Sequence, residues 1–384
     1  MTKYLIKFSV PFLLIIGLMF SYYLPGASDS KFYLNPESNI LLDQTPVFER
    51  FDVGVDSAKS MHSITTVALD NGDLLSAWYA GTREGHTDVE IYSSVFHAEK
   101  KEWSKPKSIL NRYQVSDDLN RYIKKVGNPV LYRHPSGVTA LFYVSVSMAG
   151  WATSQLNMSL SYDNGQSWHA SKRLVLTPFL NISTLIKNDV ITYQDGTIGI
   201  TAYHELLGEF SHIVRVDLAG NVIDSYRITH GDHTIQPSVM LYDDKTAVTM
   251  MRDSSHDIEK VQRAISLDAG LTWSDYHATK VDNPNSAVFA FVDEKQRSWM
   301  LFNDATRNTE LTRNNLGLAV SFDQGQTWQT KYYFENPEKL ESDEGRYAYP
   351  WVTKSGDDVH IFYTWNRELF KHVHVNQAWL EALL

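Results

Sequence analysis

The sequence predicts an all-β fold, a six-bladed β-propeller behind an N-terminal membrane-targeting helix, and three observations lead there. Three octapeptides share one pattern: Ser161-Tyr-Asp163-Asn-Gly165-Gln-Ser-Trp168, Ser266-Leu-Asp268-Ala-Gly270-Leu-Thr-Trp273 and Ser321-Phe-Asp323-Gln-Gly325-Gln-Thr-Trp328. Their tryptophans lie 105 and 55 residues apart, so the longer gap holds room for one more copy. Between the repeats run short β-type segments rich in branched and aromatic residues and bounded by turn residues. Examples are Thr65 to Trp78 broken at Asp70-Asn71-Gly72, Thr139 to Val146, Gly199 to Tyr203, Ala247 to Met251, Trp299 to Phe302 and Val359 to Trp365.

Each octapeptide is a turn with its own chemistry. The Asp carboxylate accepts backbone N–H groups, Gly supplies a permissive φ, and Trp packs beneath the hairpin, stapling two outer strands of a blade. A worn copy at Asp217-Leu-Ala-Gly220-Asn-Val222 fills the gap, and a second lies upstream at Ser94 to Pro106, with Trp103 65 residues before Trp168. The period is therefore near 54, which divides the chain beyond residue 44 into six blades. The last blade begins near Tyr347, and a strand from residues 44 to 54 is expected to complete it, so that the termini close the ring and remove exposed edges. Helical periodicity is expected only at the end, from Gln377 to Leu384.

The formal charge of −10 argues against a nucleic-acid partner, which needs a basic surface. The absence of cysteine excludes disulfides and thiolate chemistry. At the N-terminus, Lys3 and Lys7 precede an almost uncharged run from Phe8 to Leu24. This pattern predicts a cytoplasmic tail (1–7), a transmembrane anchor or signal peptide (8–24), a linker (25–43) and a propeller (44–384). An uncleaved anchor is favoured, because Pro25 stands where cleavage before Ser28 would want a small residue. The positive-inside rule sends the propeller across the membrane, periplasmic or extracellular, and secreted if the segment is cleaved.

The boxes, together with His62-Ser-Ile-Thr, Gly81-Thr-Arg83-Glu84-Gly85, Gly127-Asn128-Pro129, Gln236-Pro237-Ser238, Met251-Arg252, Asn283-Pro-Asn285-Ser286, Arg313-Asn-Asn-Leu316, Tyr347-Ala-Tyr349-Pro350 and Tyr363-Thr-Trp365, resemble the sialidase superfamily and its BNR-repeat-like branch over residues 60 to 372. The resemblance implies an arginine triad for a substrate carboxylate, a tyrosine nucleophile assisted by a glutamate, and an aspartate acid/base. Arg313 and Arg252 match two arginines, Tyr349 the nucleophile and Asp88 the acid/base. The first arginine is missing near His62-Ser63, and Gln236 stands at the glutamate's place. A neutral amide cannot take the tyrosine's proton, so ordinary sialic-acid hydrolysis is not the simple expectation.

The residues themselves suggest an anion pocket. Arg83, Arg252 and Arg313 offer planar forks for a carboxylate. Glu84, Asp88, Gln236, Tyr349 and His62 are the candidate catalytic groups, with Asn128, Trp151, His204, Tyr347 and Trp365 as further substrate contacts. Tyr347 and Tyr349 share a face if the strand alternates regularly. Arg83 and Glu84 are equally readable as a surface ion pair. No metal or cofactor is expected; His230, Asp232 and His233 read as a polar loop. The implied partner is an acidic oligosaccharide or polysaccharide. The expected activity is sialidase-like exo-acting glycoside hydrolysis, with β-elimination at a uronic acid or glycan binding without catalysis as alternatives.

Overall fold

The computed structural model describes residues 30–34, 44–55, 58–177, 181–206, 208–231, 233–255, 257–306, 313–336 and 345–384. The expected anchor at 8–24 lies outside these residues; among those described, no helix is long and apolar enough to cross a membrane. Six antiparallel sheets follow one another along the chain. Their innermost strands are Ser60–Ala68, Lys125–Arg133, Leu185–Thr192, Thr234–Leu241, Phe289–Val292 and Tyr347–Ser355, and these define blades 1 to 6. Each packs beside the next, and the sixth returns to the first. This is the six-bladed propeller the repeat spacing predicts.

The burial pattern departs from the simple alternation of a half-buried strand. Thr139–Val146, second in blade 2, is buried at every position, because neighbouring blades cover both faces. The outermost strands, such as Val222–Arg227 and His277–Asp282, carry exposed polar residues. Strands Thr139–Val146 and Ala247–Asp253 begin where the sequence placed them.

Ring closure follows the expected route. Phe48–Val53 pairs antiparallel with Leu369–Asn376, in register from Phe48 opposite Val375 to Val53 opposite Phe370. The N-terminal strand thus becomes the outer edge of blade 6. Arg50 Nη2 ties it to the Phe334 carbonyl of blade 5 at 3.0 Å. On the other side, Trp351 Nε1 donates to the Thr66 carbonyl of blade 1 at 3.0 Å.

The repeated turns behave as their chemistry requires. In the first, Asp163 Oδ1 accepts from the Ser167 N–H at 2.9 Å, Ser161 Oγ accepts from the Gly165 N–H at 2.8 Å, and Gly165 has φ +80°. The same bonds recur around Asp268 and Asp323. The worn copy is also a turn, with Asn221 N–H donating to Asp217 at 2.7 Å.

Two expectations are corrected. Part of the expected linker is docked: Phe32 is fully buried, its N–H reaches the Asp244 carbonyl at 2.8 Å, Tyr33 N–H reaches Thr192 O at 2.8 Å, and Lys31 pairs with Asp244 at 2.8 Å. Phe32 packs against Tyr193, with ring centroids 5.4 Å apart. A single aromatic anchor in a polar stretch carries no periodic signal. A helix at Arg112–Leu119 was also unforeseen, since only Val115 is buried on it. Its start carries a reciprocal cap, Asn111-x-x-Gln114, with Asn120 left-handed at its end. The C-terminal helix, Gln377–Ala382, stands where expected.

Candidate active site

The inner strands lose step at corresponding places. Register breaks fall between His62 and Thr65, Gly127 and Val130, Ile186 and Val190, Ile235 and Ser238, and Ala348 and Trp351. Ser63 (φ +58°), Asn128 (+44°), Gln236 (+54°) and Tyr349 (+55°) lie within four of these bulges. In blade 5, Asn285 (+55°) precedes the inner strand. Such bulges turn side chains out of the ladder, and left-handed non-glycine residues are held only where surroundings over-determine them.

The bulges converge. Gln236 Nε2 donates to the Tyr349 phenol at 2.9 Å and to Tyr203 Oη at 3.3 Å, while its Oε1 accepts from Arg252 Nη1 at 3.1 Å. Arg252 Nε donates to Asn285 Oδ1 at 2.6 Å, and Arg313 Nη2 to the Asn285 carbonyl at 2.5 Å. The His62 ring stacks on Tyr349 at 4.2 Å between centroids, and its Nδ1 lies 2.9 Å from Thr364 Oγ1. Blades 1, 4, 5 and 6 thus meet at one cluster.

Its electrostatics are one-sided. Burial and the guanidinium of Arg252 push Arg313 down to about 10. Burial, followed by the charges of Arg367, Arg313, Lys187 and Arg252, holds His62 well below the usual imidazole range, so it is neutral at physiological pH. Lys187 is buried with its ammonium 2.7 Å from Asn188 Oδ1 and 2.5 Å from the Pro350 carbonyl, under the Tyr349 bulge. Burial lowers its pKa strongly.

Sequence reasoning missed three participants. Arg367, on a turn of blade 6, pairs with Glu84 and lies in the field of His62. It brings a guanidinium toward the region where the first arginine was expected, from another strand end. Lys187 gave no signal beyond a polar run, Lys187-Asn188-Asp189, inside an otherwise apolar strand. Glu205, just past Tyr203, is raised by burial and by Glu209 against the opposing pull of Arg252. A carboxyl after an apolar strand end was its only sequence cue.

The other expected residues are distributed around this cluster. Arg83 is exposed, and Glu84 pairs with Arg367 rather than with Arg83, so the alternative of a surface Arg83–Glu84 pair is not realised. Asp88 is also exposed: it accepts from the Thr82 N–H at 3.1 Å and from Thr82 Oγ1 at 2.5 Å, and it pairs with His86 at 2.6 Å. Thr82 above all, and His86, lower its pKa, so in this conformation it is a carboxylate and not a proton donor. Asn128 is buried at its bulge. His204 stacks on Phe210 at 4.7 Å and bonds Gly208 O at 3.1 Å, away from the Tyr349 contacts. Tyr347 is buried against Tyr363, 6.0 Å between centroids, whereas Tyr349 is partly exposed. The bulge between them breaks the alternation that would have put both on one face.

Trp151 packs against the buried cluster of Leu185, Tyr203 and Ile235, with Lys125 Nζ 3.9 Å from its ring centroid. Gly127 makes room for it, since a Cβ there would stand 2.6 Å from the indole. Trp365 is partly buried, with Lys371 Nζ 5.3 Å from its ring centroid. Together these place a partly exposed phenol and at least two arginines at one end of the inner strands, a form suited to an anionic sugar.

The fold and the arginine-lined cluster define a propeller of sialidase-like architecture. The chain belongs to the BNR repeat-like domain family, matched over residues 72–361. It is similar in structure to a Hadza microbial sialidase at 17% identity, covering 86% of this chain and 67% of that one with TM-score 0.67. It is also similar to a Dyadobacter fermentans protein of unknown function at 13% identity, covering 85% and 98% with TM-score 0.66. The intramolecular trans-sialidase from Ruminococcus gnavus matches at 15% identity, covering 85% and 96% with TM-score 0.61. These likenesses establish the fold. No curated protein matches the chain by sequence.

Proposed function

We propose that this protein is a sialidase-like, exo-acting glycoside hydrolase on a glycan bearing sialic or uronic acid. One observation carries the reading: Arg252 and Arg313 meet at Asn285, and the charges of Arg252, Arg346 and Arg367 bear on Arg313, which makes no ion pair among the described residues. Arg252 and Arg313 make no ion pair among the described residues, and a bound carboxylate offers them bidentate charge-assisted bonds. Tyr349 is then placed to face the anomeric carbon. Glu205, whose proton is held more tightly than in water, is the carboxyl suited to protonate the leaving oxygen. Trp151 supplies an apolar face for the ring.

Gln236 supports a second reading, β-elimination at a uronic acid. It donates to Tyr349 and accepts no proton from it, while neutral His62 stacks on the same ring. Elimination needs a neutralised carboxylate and a Tyr or His proton carrier, but no carboxylate nucleophile partner. The propeller acts outside the cytoplasm in either reading, delivered by segment 8–24.

Incubation with sialosides and with uronate polysaccharides separates these outcomes. Release of a reducing sugar without an unsaturated product supports hydrolysis. Ultraviolet absorbance from a new unsaturated uronate supports elimination. Measurable acidic-glycan affinity with neither product leaves a binding propeller. Loss of neither turnover nor affinity in both Arg252→Ala and Arg313→Ala would overturn the pocket itself.

A further inference from the structure

We propose that blade 6 carries a binding site for a borderline divalent transition metal, formed by Asp358, His360 and His374. No metal constellation was legible in the sequence, because the two histidines are fourteen residues apart and meet only by strand pairing. His360 lies directly opposite His374 across the pair Asp358–Trp365 and Leu369–Asn376. Asp358, two residues before His360, falls on the same face of the sheet. One ligand atom from each of the three lies within 4.8 Å of the others.

The outer contacts resemble those that orient metal ligands. His374 Nδ1 is 3.1 Å from Glu49 Oε2, which stands opposite it on the ring-closing strand, and its Nε2 pairs with Asp358 Oδ1 at 2.9 Å, a contact that a bound metal would replace. His360 Nδ1 is 3.0 Å from His372 Nε2, which directs His360 Nε2 away from His372. His372 is itself fixed by stacking on Phe362 at 4.5 Å and edge contact with Phe96 at 4.8 Å. A carboxylate on the far nitrogen raises ligand basicity, and the His372 contact serves His360 in the same way when His360 donates its Nδ1 proton.

The donor set decides the metal class. Two imidazoles and one carboxylate suit Zn²⁺, Co²⁺, Ni²⁺ or Cu²⁺, whereas Ca²⁺ and Mg²⁺ require oxygen cages. Tetrahedral zinc with bonds of about 2.0–2.1 Å separates its ligand atoms by roughly 3.4 Å. Small side-chain rotations from the present spacing reach that value. Half-exposed Asp358 leaves the outer position open to water. Asp358 is six residues from Thr364, the partner of His62, which puts the metal roughly 20 Å from the Tyr349 cluster. Its role is to clip the strands that close the ring.

The test is calorimetric titration of the full chain with ZnCl2, with CaCl2 as control, at about pH 7.5, where binding releases ligand protons. The wild type is expected to bind one Zn²⁺ and no Ca²⁺, and its thermal midpoint to rise with zinc. Asp358→Asn and His374→Gln are expected to weaken zinc binding by roughly 100-fold and to abolish the rise. His134→Gln, in another blade, should bind as wild type. Asp358→Asn alters a half-exposed side chain, so it decides the matter alone should His374→Gln fail to fold. No zinc binding by folded wild type, or undiminished binding by Asp358→Asn, overturns the proposal.

Discussion

Arg252 Nη1 donates to Gln236 Oε1 at 3.1 Å, and that contact sets the orientation of an amide whose other end meets Tyr349 at 2.9 Å. Gln236 therefore presents a donor, not a base, to the phenol. Gln236→Glu would convert it into a proton acceptor without changing its length. If Tyr349 is a nucleophile, turnover of a fluorogenic sialoside should rise by about 100-fold. An unchanged rate would remove Tyr349 from that role.

Arg313 sits among cations, so function and stability should separate there. Arg313→Met is expected to weaken acidic-glycan binding at least about tenfold. Its thermal stability should be unchanged or raised by about 1 kcal/mol, since desolvation and the Arg252 charge already oppose its ionisation. A large loss of stability would mean that the bond to Asn285 O is structural.

Gly127 and Trp151 provide a steric test of the rim. In Gly127→Ala the new methyl meets the indole at 2.6 Å, so the ring must move. A cost of about 1–3 kcal/mol is expected, with reduced affinity for the sugar ligand. Denaturant unfolding and glycan titration check the two effects. Retained affinity would exclude Trp151 from the binding face.

Phe32 is fully buried outside the blades' own strands. Phe32→Ala should destabilise the propeller by about 3–5 kcal/mol, measured by urea unfolding, if the docked segment is integral to it. A change under about 1 kcal/mol would show an appendage that dissociates freely.

Acid should destabilise the fold through its neutral histidines. Burial, then the charges of His204 and Arg227, push His212 down to about 3, and His62 is lowered in the same direction. As pH falls below about 6.5 the unfolded chain takes up protons that the folded state refuses, so stability drops. For His212 the loss continues until pH reaches about 3, with a slope of about 1.4 kcal/mol per pH unit for each such histidine. His212→Phe, which cannot titrate, should flatten part of the slope in unfolding experiments between pH 7 and 4.

Much of the fold was legible because its signals are local. The turns at Asp163, Asp268 and Asp323 carry their hydrogen-bond groups within eight residues, and their spacing sets the blade length. The segments around His62, Asn128, Gln236, Asn285 and Tyr349 were also recognisable as special, and each carries a left-handed residue or adjoins one. Their mutual contacts were not legible. Arg367 and Glu84 are separated by most of the chain, and Phe32 docks on blades whose strands begin more than 150 residues later.

By itself, then, the amino-acid sequence determined the all-β class, the repeat period, the ring closure by the N-terminal strand, and two arginines of the candidate pocket. These depend on short-range turn chemistry and on periodicity. Only the tertiary structure decided that Gln236 is a donor to Tyr349, that Arg367 brings a guanidinium toward His62, that Lys187 is buried beneath the site with no ion pair among the described residues, and that His360 meets His374. Each of those depends on which strand ends the closed ring brings together, and on bulges that reverse the simple alternation of faces. Side-chain direction at a bulge is set by the neighbouring blades, so no local pattern in the chain encodes it.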